Sequence, residues 1–91
     1  MSFRFEVKDI FDIRGRGVIV MGTIEAGSVR VGDTLQLSSG TSSRQVVVAS
    51  IEKFQLPALH EVMAGPDDVG IGLFGITREQ VLVHDVLVSS P

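Results

Sequence analysis

Few side chains in this sequence are of the types that perform catalysis, and those few lie far apart along the chain. There is no cysteine, and the two histidines, His60 and His84, fall in separate segments with no His-Glu-x-x-His spacing. Spacings of that kind hold zinc in proteins, so we expect no metal site. The serines gather at 38–43 and 89–90, where no motif supplies the base and orienting acid that a serine nucleophile needs. We therefore expect no catalytic residue and no cofactor.

Two adjacent carboxylates, Asp67 and Asp68, stand in a Gly-Pro-Asp-Asp tract. Paired carboxylates can act as general acid and base, but this tract has the composition of a turn, which is the interpretation we favour. The phosphate-binding pattern Gly-x-x-x-x-Gly-Lys-Ser/Thr is absent, and neither lysine, Lys8 or Lys53, follows a glycine. The sequence thus predicts no GTP binding by a P-loop.

The tetrad Arg14-Gly15-Arg16-Gly17 admits two interpretations. The forked guanidinium group of arginine binds phosphate, and glycine lets a ligand approach the backbone, so the tetrad could contact RNA. The two glycines can also supply the positive φ of a tight hairpin turn, in which case the arginines are simply solvated. Both interpretations stay open at the level of the sequence.

Length and composition limit the class of protein. The 91 residues have the length of one domain, so we expect a single domain over residues 1–91. The lack of cysteine fits a cytoplasmic location, and no stretch is long and apolar enough to enter a membrane. The net charge of −3 argues against tight nucleic-acid binding by this chain alone, but a local basic patch stays open. Four arginines fall in the first third of the chain: Arg4, Arg14, Arg16 and Arg30.

The first segment alternates apolar and charged residues with the period of a half-buried strand. The alternation predicts that one face enters the core, with these side chains on it: Phe3, Phe5, Val7, Phe11 and Ile13. Asp9 falls on the apolar parity and Ile10 on the polar one. Either a bulge shifts the register there, or Asp9 makes a buried hydrogen bond.

Turn signals recur along the rest of the chain with no long helical pattern, which indicates an all-β sandwich or barrel. Gly22 inside the second strand predicts a bend or a close backbone approach. We expect an exposed loop at 38–43 and a loop or single helical turn at 58–63. The segment 44–54 is long enough for one strand that bends and serves two sides of a barrel, and 86–88 reads as a closing strand.

Taken together, these segments resemble domain 2 of elongation factor Tu. The similarity covers nearly the whole chain, beginning with the run VKDIFDIRGRGVIVMGTIEAGSVRVGD at 7–33 and continuing through SIEKF at 50–54, the glycines of 64–70, LFGI at 73–76 and DVL at 85–87. The resemblance implies a small closed antiparallel Greek-key β-barrel of the type shared by translational GTPases. In those factors the barrel packs on a GTPase domain and helps contact tRNA or ribosomal RNA. We expect a freestanding barrel or an excised domain, since no GTPase domain precedes it here.

The resemblance also carries over part of a binding site. In elongation factor Tu the barrel holds the aminoacylated 3′ adenosine with two glutamates and nearby arginines. Glu52 matches the second glutamate, whereas Lys8 stands at the first and Gln55 at an expected arginine. A lysine in place of a carboxylate exchanges acceptor for donor, which argues against aminoacyl-tRNA capture in that mode. We predict that Lys8 and Glu52 approach each other to within ~4 Å as an ion pair.

The sequence therefore predicts a non-enzymatic binding module associated with translation. Its expected partners are ribosomal RNA, tRNA or a translation factor. The alternative is a protein-interaction or regulatory adaptor that binds a protein partner or a second copy of itself. The candidate contact residues are Lys8, Arg14, Arg16, Arg30, Glu52 and Gln55.

Overall fold

A computed structural model describes residues 2–53 and 58–90, and in these residues six strands close into an antiparallel barrel. The chain runs through β1 (Arg4–Ile13), β2 (Gly17–Ala26), β3 (Ser28–Arg30), β4 (Thr34–Ser39), β5 (Ser42–Lys53), β6 (Glu61–Met63), β7 (Asp68–Phe74), a 3₁₀ turn (Arg78–Gln80) and β8 (Val86–Ser89). The barrel order is β1-β2-β7-β5-β4-β8, and β8 returns to pair with β1. The small strands β3 and β6 form a separate two-stranded sheet. The predicted all-β barrel is confirmed.

The barrel interior is filled by the alternate apolar side chains of every barrel strand, as period-2 patterning requires. In β1 the pattern changes partway along the strand. Phe5 and Val7 are fully buried, the pairing with β2 shifts register between Val7 and Asp9, and Ile10 is then the buried residue. Of the two alternatives for this position, the bulge is therefore the one present. Asp9 is exposed and accepts a hydrogen bond from the Ile10 N–H at 2.8 Å, so the alternative of a buried Asp9 is wrong.

The same bulge makes the inward placement of Phe11 and Ile13 wrong. One extra residue reverses which side chains face the core, so both point outward and keep 45% and 40% of their surface exposed. The register shift thus moves two large apolar side chains onto the outer face of the barrel.

Gly22 lies where β2 passes close to β1. A Cβ at this position would collide with the Glu6 carbonyl oxygen and lie 3.0 Å from Phe5 Cζ. The predicted close approach is confirmed, and it lets the Phe5 ring fill the space beneath β2.

The strand β5 serves two sides of the barrel, as expected from its length. Its first half pairs with β4 and its second half with β7, with a register shift between Val48 and Ser50. The expected loop at 38–43 is shorter than predicted, because Ser38 pairs with Ser43 in the β4–β5 hairpin.

The segment 58–63 is also more regular than expected, since its last three residues form β6 against β3. Pairing with another strand outweighs the weak helical spacing of this segment. No helix in the described part of the chain is long and apolar enough to cross a membrane.

Candidate binding groove and arginine turn

The β1–β2 turn holds Arg14 and Arg16 at one end of the barrel. Gly15 and Gly17 both adopt φ 82°, and the Arg16 N–H donates to the Ile13 carbonyl at 2.8 Å. The positive φ values suit glycine, and Arg14 before Gly15 and Arg16 between the two glycines both remain exposed. The hairpin turn is confirmed, but the expectation that both arginines are simply solvated holds for Arg14 and is wrong for Arg16, which pairs with Glu52.

Arg16 reaches from this turn across the barrel surface to Glu52. Its Nη2 bonds Glu52 Oε1, and the two side chains are 43% and 41% exposed. Glu52 lies on β5, and β7 stands between β5 and β2. The ion pair therefore spans β7 on the outer face.

Lys8 binds a different carboxylate. Its Nζ donates to the Thr23 hydroxyl at 2.6 Å and lies 3.4 Å from Asp68 Oδ1. Thr23 is paired with Asp68 in the β2–β7 ladder, and its hydroxyl is 3.2 Å from the same carboxylate oxygen. The three residues form one polar cluster across three strands.

The predicted ion pair between Lys8 and Glu52 is wrong, because each takes another partner. The strand order explains this difference. β5 lies three strands away from β1, which is about 14 Å at the usual spacing of about 4.8 Å between strands. Asp68, on β7, is one strand nearer to Lys8 and is reached first.

A groove of about 380 Å³ opens on the outer face between these two ion-paired clusters. It is lined by Ile19, Met21, Glu52, Lys53, Asp68 and Gly70. Met21 packs over Gly70, since a Cβ at Gly70 would come within 2.9 Å of Met21 Sδ. Lys53 Nζ lies 3.8 Å from Asp67 Oδ2, which adds a third pair of opposite charges at the rim. The groove thus has an apolar floor and a rim of alternating charge.

Arg30 is not brought together with the other candidate arginines. It ends β3, beyond the end of β2 that is opposite to the arginine turn, and β2 spans about 30 Å at the usual rise of a strand. Its backbone N–H donates to Asp33 Oδ2 at 2.8 Å, while the residue stays exposed. Gln55 lies outside the described residues.

An apolar row borders the arginine turn on the outer face. Ile13 pairs with Gly17, and Val47 pairs with Phe74. The next pair of the β2–β7 ladder, Val18 with Leu73, faces the core, and its register brings Gly17 and Phe74 level with each other, so Ile13, Phe74 and Val47 follow one another across the outer face. Phe74 is 64% exposed. The row is therefore an apolar surface without a partner in the described part of the chain.

Sequence reasoning missed Thr23 and Asp68 as members of the site. Asp68 was assigned to a turn, but it is the first residue of β7 and faces outward with Gly70. The alternation from Asp68 through Gly70 and Gly72 to Phe74 was a usable signal for an outward face. No group of three metal-ligating side chains occurs among residues 2–53 and 58–90.

Comparisons with known proteins place the fold. No family model matches the chain. The chain is similar to the apo crystal structure of translation elongation factor SelB from Methanococcus maripaludis, with a TM-score of 0.85 and 32% identity. The similarity covers 99% of this chain and 19% of that one. The chain therefore spans about a fifth of the factor that it resembles.

Proposed function

Because this chain is a β-barrel of the translation-factor domain 2 type, we propose that it is a non-enzymatic binding module that works with the translation machinery. Its partner is RNA, a ribosomal component or a translation factor, and its location is cytoplasmic. The observation that carries the proposal is the similarity to an elongation factor over 99% of the chain at 32% identity. The proposal of binding rests on analogy with that factor, and the residues proposed to carry it are those of the arginine turn, since a fold alone does not determine a function.

The arginine turn is the proposed RNA contact. Arg14 is exposed and has no carboxylate within ion-pair distance in the described part of the chain. A guanidinium in this state can bind a phosphate without first losing a partner. Arg30 serves as a second, separate contact when the RNA extends along the length of β2.

We also propose that the groove does not hold an aminoacylated tRNA end in the manner of elongation factor Tu. The two positions that the resemblance assigns to carboxylates are Lys8 and Glu52. Lys8 is a donor engaged with Thr23, and Glu52 is already bonded to Arg16. Lys8 offers no acceptor, and one oxygen of Glu52 is already engaged by Arg16, so the two free carboxylates that the resemblance implies for a ribose hydroxyl and an α-amino group are not present here.

Gel shift with ribosomal RNA and with deacylated tRNA, together with co-sedimentation with ribosomes, tests the RNA contact. We expect binding that weakens as salt rises, because phosphate contacts release counterions. Arg14→Gln should weaken binding and lower the salt dependence. Arg44→Gln is the control, since Arg44 is also exposed but lies on β5, near the β4–β5 hairpin. Absence of binding at low salt, or equal losses from the two variants, would count against the proposal.

The alternative function is a protein-interaction adaptor that associates with a second copy of itself. The apolar row of Ile13, Val47 and Phe74 supports it, because exposed contiguous apolar surface marks interaction sites. Light scattering at increasing concentration, with Phe74→Ser as the comparison, separates the two functions. If the unaltered chain and the Phe74→Ser variant are both monomeric at all concentrations, self-association through this row is excluded.

A further inference from the structure

The ion pair between Arg16 and Glu52 engages one of the two cations of the arginine turn. Arg16 Nη2 bonds Glu52 Oε1, whereas Arg14, two positions earlier, meets no carboxylate among the described residues. The same turn therefore holds one arginine ready for an anion and one that already has a partner.

Two glycines of β7 lie between the strands β2 and β5, next to this ion pair. Gly70 and Gly72 face outward between β2 and β5, where Gly70 pairs with Met21 on one side and Glu52 on the other. No side chain rises from β7 at these two positions, and the nearest side-chain atoms above them are Met21 Sδ and Ser50 Oγ. Both partners keep about two fifths of their surface exposed, 43% and 41%, so a solvent anion can reach the guanidinium.

We propose that Glu52 competes with phosphate for Arg16, so that RNA makes its full contact with the arginine turn only when the ion pair opens. The inference rests on the proposed RNA contact and adds to it an internal competitor. Glu52 engages Nη2 of Arg16 and places a negative charge beside the guanidinium, so a phosphate that binds through Nη2 must displace the carboxylate. Glu52 would thereby set the strength of anion binding at the turn.

Pyrophosphate is the probe that tests the competition without RNA. Titration followed by the Nε–Hε resonances of the arginines in ¹⁵N-labelled protein reports each guanidinium separately. In Glu52→Gln we expect the Arg16 resonance to respond at about 2- to 5-fold lower pyrophosphate concentration than in the unaltered chain, since exposed ion pairs contribute that range. The response of Arg14 should change much less.

Glu25→Gln is the matched control. Glu25 forms the same kind of exposed pair, with Arg4 at 2.8 Å, and its substitution changes the net charge by the same amount. It lies at the end of β2 opposite to the turn, so it tests the general effect of one lost negative charge. An equal gain at Arg16 in Glu25→Gln and Glu52→Gln would overturn the inference.

Binding of fluorescein-labelled deacylated tRNA links the competition to the proposed function. We expect Glu52→Gln to raise the affinity more than Glu25→Gln, and Arg16→Gln to cost more in the Glu52→Gln background than in the unaltered chain. Additive effects of the two substitutions would overturn the inference while leaving the RNA contact in place. If pyrophosphate competes as expected but no variant binds tRNA, ribosomal RNA or ribosomes, the RNA function fails and the competition at Arg16 stands.

Discussion

Thr23 and Asp68 are directly paired across β2 and β7, and the Thr23 hydroxyl oxygen lies 3.2 Å from Asp68 Oδ1. Lys8 closes this cluster from β1, with its Nζ 2.6 Å from the Thr23 hydroxyl. The cluster ties three neighbouring strands together on the outer face of the barrel. It also fixes the position of a cation where the resemblance to elongation factor Tu leads one to expect a carboxylate.

Lys8→Glu should destabilise the barrel in a salt-dependent way. The new carboxylate would face Asp68 and replace an attraction with a repulsion between exposed groups. We expect the free energy of unfolding to fall by about 0.5–1 kcal/mol at low salt, and the loss to shrink in 1 M salt because the charges are screened. Urea unfolding at both salt concentrations measures this. Combining Lys8→Glu with Asp68→Asn should recover most of the lost free energy of unfolding. A loss that does not depend on salt would argue for a packing defect instead.

Gly22→Ala should destabilise the barrel through its backbone. The added methyl group would collide with the Glu6 carbonyl oxygen and press on the Phe5 ring, which is fully buried. We expect a loss of about 1–3 kcal/mol in the free energy of unfolding, the range for overpacking in a core. Gly65→Ala is the control, because the nearest atom to a Cβ there is the Met63 carbonyl oxygen at 4.0 Å. Equal effects of the two substitutions would contradict the close approach of β1 and β2.

His84 occupies a strained backbone position in the loop before β8. It has φ 82°, and its Nδ1 lies 2.8 Å from Glu6 Oε2. His84→Gly and His84→Ala both remove the imidazole, but only glycine adopts this φ without strain. We expect the glycine variant to be more stable than the alanine variant by about 1 kcal/mol. Thermal unfolding of both variants measures the difference, and no difference between them would rule out strain at this φ.

Asp85 holds the same loop from inside. It is the buried polar residue of the described chain, at 7% exposure, and its Oδ2 accepts a hydrogen bond from the Leu82 N–H at 2.8 Å. Asp85→Ala should lower the free energy of unfolding by about 1–3 kcal/mol, since it leaves that N–H without an acceptor. Asp85→Asn keeps an acceptor oxygen and should cost much less. Chemical denaturation of the two variants compares them directly, and similar losses would assign the effect to the charge and not to the hydrogen bond.

Local patterning predicted most of the strands, because alternation and turn residues act over short stretches of chain. The β1–β2 hairpin, the long β5 and the closing β8 all follow from such signals. Phe11 and Ile13 were placed on the wrong face, since alternation alone could not decide whether Asp9 marked a bulge. The residues needed for that decision lie on β2, beyond the reach of a local pattern.

The candidate site was less predictable than the fold, because its contacts join distant parts of the chain. The arginine turn was identified, and Glu52 was correctly placed on the strand that borders the groove. The ion-pair partners of these charged residues were not predicted. The pairs Lys8–Asp68 and Arg16–Glu52 depend on β7 lying between β2 and β5. That strand order depends on the whole barrel and cannot be inferred from any single segment of the sequence.

The pairing of β1 with β8, which closes the barrel, has a consequence for how the barrel forms. The Phe3 N–H donates to the Ser89 hydroxyl at 2.8 Å across 86 positions of sequence, next to the pairing of Phe5 with Leu87. Until β8 is in place, β1 and β4 each expose an unsatisfied edge that can pair with another chain. A growing chain therefore cannot complete its hydrogen bonding early in synthesis, and closure of so distant a contact makes slow folding the expectation.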